Sequence, residues 1–244
     1  MLTLAIQAGG ASRRMGRDKA LMPFLGRPLI LQVVKRLTNL ADEVIITTNH
    51  PADYAFLDLP LVMDLQPGRG ALGGLYTVLA SASQPLVAVA ACDMPFASRA
   101  LFEYERDLLV ESGADVVIPS TTSGLEPLHA IYRRATCLPA VLSALDGGAW
   151  KLIAWFPQVK VRALTPEETA HYDPHGLVFW NLYTPEEFRQ AEALARGSDQ
   201  CSVDYATTRL SDDQNRAGRV AQHLLALAAQ QDIQRPEAAR ANDN

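Results

Sequence analysis

The chain begins with a short apolar run that leads directly into a glycine-rich turn with a high density of positive charge. Residues Leu2 to Ile6 are apolar and indicate a buried strand, and the turn opens with Gly9 and Gly10. Within seven residues it carries four basic side chains, Arg13, Arg14, Arg17 and Lys19. Because glycine lets backbone N–H groups approach a ligand closely, such a turn can bind several phosphate oxygens at once. The pattern indicates a nucleoside triphosphate rather than a single carboxylate.

The spacing of this turn excludes two common phosphate-binding loops. A Walker A loop has the form G-x-x-x-x-G-K-[ST], whereas five residues separate Gly10 from Gly16 and Lys19 follows only later. The G-x-G-x-x-G fingerprint of dinucleotide-binding domains is also absent, which argues against a nicotinamide-dependent oxidoreductase. The alternative is an ordinary strand-to-helix turn with solvated basic side chains. That alternative leaves two further loops of the chain unexplained.

Both further loops follow apolar runs and carry an aspartate. Asp64 ends the first run and precedes the glycine-rich stretch 67–74, and Asp93 follows the apolar run Leu86 to Ala91. Ligands of open parallel sheets bind at the carboxyl ends of the strands, so we expect the basic turn, Asp64 and Asp93 to meet at one edge. Because proteins hold Mg²⁺ with one or two carboxylates plus substrate oxygens, Asp93 is the predicted metal ligand. The alternative is that Asp93 caps a helix that starts near Ser98.

Taken together, these motifs resemble those of the molybdenum cofactor guanylyltransferases, nucleotidyltransferases that move a nucleoside monophosphate onto a phosphate. The family pattern AGG-x-S-x-R-M-G-x-D-K-A-L matches residues 8–21 without a gap, and the D-x-P-[FY] loop matches residues 93–96. Segment 126–132 resembles the acceptor-side segment, and segment 181–187 resembles the closing N-x-N-T-P-E-[DE] motif. The resemblance spans roughly residues 2–196.

Two positions depart from the family pattern. Gln7 stands where the family usually has Leu, and Tyr183 replaces the second asparagine of the closing motif. The first change bears on how the base is held and the second on the pterin side, so a related acceptor stays open. The pair Gly9-Gly10 resembles the guanylyl branch more than the cytidylyl branch, whose turn tends to contain Ala-Ala-Gly.

The resemblance implies a reaction and a set of site residues. GTP would lie over the first turn, the terminal phosphate of molybdopterin would attack its α-phosphorus, and pyrophosphate would leave. Mg²⁺ is the implied cofactor, with Asp93 as its ligand. The implied catalytic residues are Arg14, Lys19 and Asp93; the GTP-binding residues are Gln7, Ala8, Gly9, Gly10, Lys19, Thr47, Asp64 and Asp93; and the acceptor-binding residues are Glu126, His129 and Asn181. For His129, a hydrogen-bonded structural histidine is an equally open interpretation.

Strand and helix patterns alternate along the chain, which predicts an α/β fold: a single three-layer Rossmann-like domain with a mainly parallel sheet, of the nucleotidyltransferase type. A late strand is expected at Leu177 to Trp180, and Thr184 with Glu187 predicts a helix that starts with a capping box. We expect the nucleotidyltransferase domain to occupy residues 1–197. Residues 198–244 would form a C-terminal extension with one helix near Asn215 to Gln230, which docks a partner or packs on its own domain, and a mobile tail.

The composition argues against nucleic acid, zinc and a membrane span as features of this protein. The formal net charge is −5 and the pI about 5.5, so the chain has no general basic surface for nucleic acid. Three scattered cysteines predict neither a disulfide framework nor a zinc site, and a cytoplasmic location is expected. No apolar run reaches the ~18 residues of a membrane span.

Substrates and rivals follow from the same reasoning. The expected partners are GTP and molybdopterin, with transient partner proteins of molybdenum cofactor delivery. The rival interpretations are a sibling transferase that uses CTP or another small phosphate acceptor, and a nucleotide-binding module without catalysis.

Three tryptophans, Trp150, Trp155 and Trp180, are candidates to stack on a pterin ring or to fill the core.

Overall fold

The computed structural model describes residues 1–8 and 18–196. It divides the chain into two units, Met1–Arg189 and Gln190–Asn244. Of the second unit, residues 190–196 are described, and they are helical. The predicted site residues Gly9, Gly10 and Arg14 lie outside the described residues, as does the C-terminal extension 198–244 with its predicted helix.

Strands and helices alternate through the described chain. The strands are β1 Leu2–Gln7, β2 Pro23–Phe24, β3 Arg27–Pro28, β4 Glu43–Thr47, β5 Leu61–Val62, β6 Leu86–Ala91, β7 Val116–Thr121, β8 Gly124–Leu125, β9 His129–Arg133 and β10 Val161–Leu164. The helices are α1 Leu29–Leu37, α2 Pro51–Tyr54, α3 Gly70–Ser81, α4 Arg99–Ser112, α5 Arg134–Asp146, α6 Pro166–Ala170 and α7 over residues 185–196. Short 3₁₀ turns cover Lys19–Leu21, Thr38–Leu40, Ala55–Leu57 and Phe156–Gln158. No helix of the described ranges has the length and apolar character that crossing a bilayer requires.

The main sheet is mixed but mostly parallel. Its strand order is β10-β7-β9-β6-β1-β4-β5, with β8 paired to β7. Strand β1 pairs in parallel with both β4 and β6, β5 pairs in parallel with β4, and β9 runs antiparallel between β6 and β7. The carboxyl ends of β5, β4, β1, β6 and β7 therefore lie along one edge. This confirms the predicted fold class and brings the predicted site segments to a common side.

Helices cover both faces of the sheet. Because β6 is buried along its whole length, it is apolar at every position, as strands covered on both faces are. On one face, Ile30 of α1 and Phe102 of α4 belong to one buried cluster, and on the other Leu75 of α3 and Val141 of α5 belong to a second. The expected three-layer arrangement is thus confirmed.

Two local predictions have different outcomes. The capping box is present, because Thr184 Oγ1 accepts from the Glu187 N–H at 3.2 Å while the Glu187 carboxylate accepts from the Thr184 N–H at 2.7 Å. The strand predicted at Leu177 to Trp180 is wrong, since this segment forms turns. The Asp173 carboxylate accepts from the N–H groups of Leu177 and Val178 at 2.7 and 3.1 Å, which diverts those donors from a strand ladder.

Candidate active site

A cavity of about 590 Å³ opens at the shared carboxyl edge of β1, β4, β5 and β6. This volume lies in the range of small-molecule sites. The described members of the predicted nucleotide-binding set all line it: Gln7, Ala8, Lys19, Thr47, Asp64 and Asp93. The prediction that Lys19, Asp64 and Asp93 come together at the strand ends is therefore confirmed, while residues 9–17 of the basic turn lie outside the described residues.

Lys19 and Asp93 form an ion pair at this edge. The Lys19 Nζ lies 2.9 Å from Asp93 Oδ2, and each side chain is 16% exposed. Lys19 starts a 3₁₀ turn, whereas Asp93 lies two residues after the end of β6 and its carbonyl accepts from the Leu182 N–H at 3.2 Å. Ser98 caps α4 by accepting from the Leu101 N–H at 3.2 Å, so the alternative that Asp93 caps this helix is excluded. The Asp93 carboxylate thus faces the cavity with a cation beside it.

Tyr183 contacts Lys19. Its ring centroid lies 4.0 Å from the Lys19 Nζ, which is cation–π geometry. Burial and the Asp93 charge raise the pKa of the Tyr183 phenol, which therefore stays neutral near pH 7. The residue that departs from the family pattern thus lies against the predicted catalytic lysine, and its bearing on the pterin side stays a prediction.

Asp64 is oriented by a residue that the sequence analysis did not select. Asn49 Nδ2 donates to Asp64 Oδ2 at 2.8 Å, and the Asp64 N–H donates back to Asn49 Oδ1 at 3.2 Å. Asn49 also lines the cavity. The available signal was its position, because a polar residue just past the end of β4 lies at the same edge as Asp64.

Gln7 and Gly74 pack against each other at the floor of the cavity. A Cβ at position 74 would lie 3.2 Å from Gln7 Oε1, so glycine makes room for the carboxamide. Within residues 1–8 and 18–196, the buried Gln7 Nε2 has no hydrogen-bond partner. Gln7 therefore brings a buried polar group to the position where the family usually has an apolar side chain.

The three tryptophans have separate locations. Trp155 is fully buried in the core. Trp150 is 62% exposed, lines the cavity, and has the Arg69 guanidinium carbon 5.3 Å from its ring centroid. Trp180 lines a second cavity and stacks on Phe96, with ring centroids 6.2 Å apart. Two of the three are thus available to a ligand.

The second cavity has a volume of about 410 Å³ and lies at the carboxyl end of β7. Hydroxyl side chains of residues 120–123 line it together with Glu126 and Trp180. Burial raises the pKa of the Glu126 carboxyl, and the hydrogen bond that it accepts from Thr121 Oγ1 at 3.2 Å partly opposes this. Asn181 lines neither of these two cavities, and its amide donates to the Phe179 carbonyl at 3.2 Å.

His129 lies in the core rather than at a cavity. Its side chain is fully buried, its ring stacks on Phe102 with centroids 3.8 Å apart, and its Nε2 accepts from the Ser98 N–H at 3.3 Å. Burial lowers the pKa of His129 to about 3, so the ring is neutral and its Nδ1–H donates to Glu105 Oε1 at 3.1 Å. A side chain without exposed surface cannot contact an acceptor. The structure corrects that expectation and supports the structural interpretation of this histidine.

Comparison with known proteins points to one family. A family model described as the MobA-like NTP transferase domain matches residues 4–163. The molybdenum cofactor guanylyltransferase of Desulfosudis oleivorans is 34% identical over 198 residues, which are 80% of this chain and 96% of that protein. The molybdenum cofactor guanylyltransferase of Syntrophotalea carbinolica is 30% identical over 202 residues, 81% of this chain and 96% of that protein.

Solved structures share the fold. The molybdopterin-guanine dinucleotide biosynthesis protein A of Archaeoglobus fulgidus matches with a TM-score of 0.70 at 24% identity, over 80% of this chain and 99% of that one. The 2-C-methyl-D-erythritol 4-phosphate cytidylyltransferase of Thermus thermophilus matches with a TM-score of 0.56 at 19% identity, over 79% of this chain and 98% of that one. At these identities the likeness shows the fold alone.

Proposed function

Because this chain belongs to the MobA-like NTP transferase family, we propose that it transfers GMP from GTP to the terminal phosphate of molybdopterin and releases pyrophosphate. The observation that carries the proposal is the Lys19–Asp93 pair, at 2.9 Å, in the same cavity as Asp64. A cation and carboxylates at the carboxyl edge of a parallel sheet suit a triphosphate with a divalent ion. Relatives named molybdenum cofactor guanylyltransferase, at 34 and 30% identity, support the choice of GTP and of the acceptor.

In the proposed reaction the protein contributes position and charge. An oxygen of the acceptor phosphate forms a bond to the α-phosphorus of GTP, and the bond from that phosphorus to the β-phosphate oxygen breaks. The Lys19 ammonium stabilises negative charge on the phosphates, and Arg14 is predicted to do the same. Because a phosphate monoester is already ionised near neutral pH, no side chain is needed as general base. Positioning and electrostatic stabilisation are sufficient for this class of transfer.

Mg²⁺ is the cofactor that we propose, with Asp93 as its protein ligand. Asp18, Asp64 and Asp93 all line the cavity, and carboxylate oxygens suit this ion. Within residues 1–8 and 18–196, no group of three or more His, Cys, Asp or Glu side chains could by itself hold a metal. That fits Mg²⁺, which takes few protein ligands and completes its shell with water and substrate phosphates. When bound, the ion would neutralise phosphate charge.

The acceptor is proposed to bind toward the second cavity. Trp180 offers an aromatic face, residues 120–123 offer hydroxyl groups, and Glu126 offers a carboxyl whose raised pKa favours its protonated form. Phe96, which stacks on Trp180, lies three residues after Asp93 and so connects this cavity to the nucleotide side. Asn181 remains a predicted acceptor contact.

Pyrophosphate release tests the proposal. The purified protein with Mg²⁺ is given GTP, CTP, ATP or UTP in turn, with and without molybdopterin. Release with GTP only when molybdopterin is present supports the guanylyltransferase. Release with CTP identifies a sibling transferase, and GTP binding without any release identifies a module that lacks catalysis.

The Asp93→Ala variant tests the metal role in the same assay. It is expected to lose the Mg²⁺-dependent activity, whereas the exposed Asp107→Ala on α4 should keep it. A variant at position 93 that Mg²⁺ still activates would remove Asp93 from the metal site.

A further inference from the structure

Tyr54 contacts two cavity-lining residues that are ten positions apart in the sequence. It lies at the end of α2 and is fully buried. Its hydroxyl oxygen is 2.6 Å from Asp18 Oδ2 and 3.2 Å from the Ala8 carbonyl oxygen. Ala8 and Asp18 both line the cavity, and they are the described residues on either side of segment 9–17. One side chain thus connects the end of β1 to the start of the turn that carries Lys19.

Asp18 uses its two carboxylate oxygens for different purposes. Oδ1 accepts from the Ala20 N–H at 3.0 Å and caps the 3₁₀ turn Lys19–Leu21. Oδ2 accepts from Tyr54. Because both oxygens are engaged, the side chain is held in one orientation, and so is the turn that it caps. Lys19 starts this turn and reaches Asp93 on the neighbouring strand end.

The Tyr54 hydroxyl is not needed for packing, since phenylalanine has the same ring. Burial and the hydrogen bond to Asp18 raise the pKa of Tyr54, which keeps the phenol protonated and able to donate. A buried hydroxyl has a desolvation cost unless it forms hydrogen bonds. Here its two acceptors, the Ala8 carbonyl and the Asp18 carboxylate, are on residues that line the cavity. The contact with a carboxylate is charge-assisted and is the shorter of the two.

We propose that Tyr54 is a positioning residue for nucleotide binding: by holding Ala8 and Asp18 together, it fixes the Lys19 turn before the nucleotide arrives. This inference rests on the proposed function for the identity of the nucleotide. It predicts that loss of the hydroxyl weakens nucleotide binding through Asp18, beyond any effect on folding.

Tyr132 provides a matched control. It is also fully buried and donates to a backbone carbonyl, that of Pro127, at 2.7 Å, but it does not line the cavity. Calorimetric titration with Mg²⁺ and GTP is expected to give a Kd about tenfold higher for Tyr54→Phe than for wild type, as loss of a charge-assisted hydrogen bond predicts. Tyr132→Phe should lower Tm by a similar amount and leave the Kd within about twofold.

A double-mutant cycle tests the route through Asp18. If Tyr54 acts by orienting this carboxylate, the double variant Tyr54→Phe/Asp18→Asn should bind GTP about as weakly as Asp18→Asn alone. Additive losses, or a Kd for Tyr54→Phe equal to that of wild type, would overturn the inference. If the wild type does not bind GTP, the proposed function fails, and the same cycle is run with whichever of CTP, ATP or UTP it binds. Absence of binding to all four would overturn both.

Discussion

Lys19 contacts Asp93 and Tyr183 through its ammonium at the cavity proposed to bind the nucleotide. Its ammonium lies 2.9 Å from Asp93 Oδ2 and 4.0 Å from the centroid of the Tyr183 ring. Both partners lie at the edge of the sheet, and the Lys19 and Asp93 side chains are 16% exposed. A partly solvated ion pair contributes little to the free energy of unfolding. The same charge next to a triphosphate would stabilise the transition state directly.

The Lys19→Ala variant is therefore expected to lose turnover and keep its fold. Removal of a charge-stabilising donor typically lowers kcat by ~10²–10³, whereas Tm should change by only a few degrees, about as expected for a partly exposed pair. Steady-state pyrophosphate release and thermal unfolding measure the two effects. Lys35→Ala, an exposed lysine on α1, is the control and should match wild type in both. Unchanged turnover of Lys19→Ala would refute its role.

Tyr183 is expected to act through its ring. Replacement by Leu removes the cation–π contact with Lys19 and should lower kcat/KM about 2–5-fold, the equivalent of about 0.5–1 kcal/mol at an exposed site. Tyr183→Phe keeps the ring and should behave as wild type. The two variants are compared in the pyrophosphate assay. Equal losses in both would show that the hydroxyl, and not the ring, carries the effect.

At the residue scale, the sequence predicted cavity-lining side chains best where they follow the end of a strand. Asp64 and Asp93 follow apolar runs, and both line the cavity. Asn49 was not predicted because it orients Asp64, a partner 15 positions away in the sequence. For His129 the sequence left an acceptor contact and a structural role open, because its burial depends on Phe102 and Glu105 of α4, which no local pattern connects to β9.

At the scale of elements, Glu105 of α4 and His129 of β9 form a buried pair whose pKa values shift in opposite directions. Burial raises the pKa of Glu105 and lowers that of His129 to about 3. The neutral His129 donates from Nδ1 to Glu105 Oε1, and Glu105 Oε2 is buried with no partner among the residues that the structure describes. Both groups are therefore neutral at this interface, which avoids a buried unpaired charge.

The Glu105→Gln variant should change how stability depends on pH. The raised pKa of Glu105 means that its contribution is fully present below about pH 4.5 and is lost as pH rises toward the folded pKa. Gln does not titrate and keeps an acceptor for His129. Relative to wild type, the free energy of unfolding of Glu105→Gln should therefore rise from pH 5 to pH 8, by up to about 1.4 kcal/mol per pH unit. The difference in Tm between the two proteins should rise with it.

His129 is present in both proteins, so its own loss of stabilisation as pH falls from 6.5 toward 3 cancels in the difference. Glu111→Gln, exposed on the same helix, is the control, and its difference in Tm from wild type should not change with pH. If the difference in Tm between Glu105→Gln and wild type also stays constant with pH, the neutral state of Glu105 is contradicted.

Elements whose conformation is determined by their own residues could be predicted from the sequence. Elements whose backbone donors bind a side chain outside the element could not. Strand β6 matches its apolar run Leu86 to Ala91, and Thr184 with Glu187 forms the predicted capping box. The apolar run Leu177 to Trp180 resembles a strand equally well in sequence. It forms turns because the carboxylate of Asp173 takes its N–H donors, and the pattern of apolar residues does not record that competition.

At the scale of the whole molecule, the chain is longer than the family fold requires. The matched 198 residues make up 96% of the Desulfosudis oleivorans protein but only 80% of this chain. The cavity-lining residues described above all belong to the unit Met1–Arg189. Because the match covers nearly all of that relative, we predict that residues 198–244 are dispensable for the proposed transfer.

A chain that ends at Gly197 is therefore expected to transfer GMP with a kcat/KM within about twofold of the full-length protein, the small effect typical of changes away from a functional site. Its kcat/KM and Tm are both measured beside those of a chain that lacks only Arg235–Asn244. If the predicted helix near Asn215 to Gln230 packs on its own domain, the shorter chain loses Tm while the longer one does not. If that helix docks a partner, both chains keep Tm and activity in the purified assay. Loss of kcat with Tm preserved would instead place residues 198–234 in the active site and contradict the boundary.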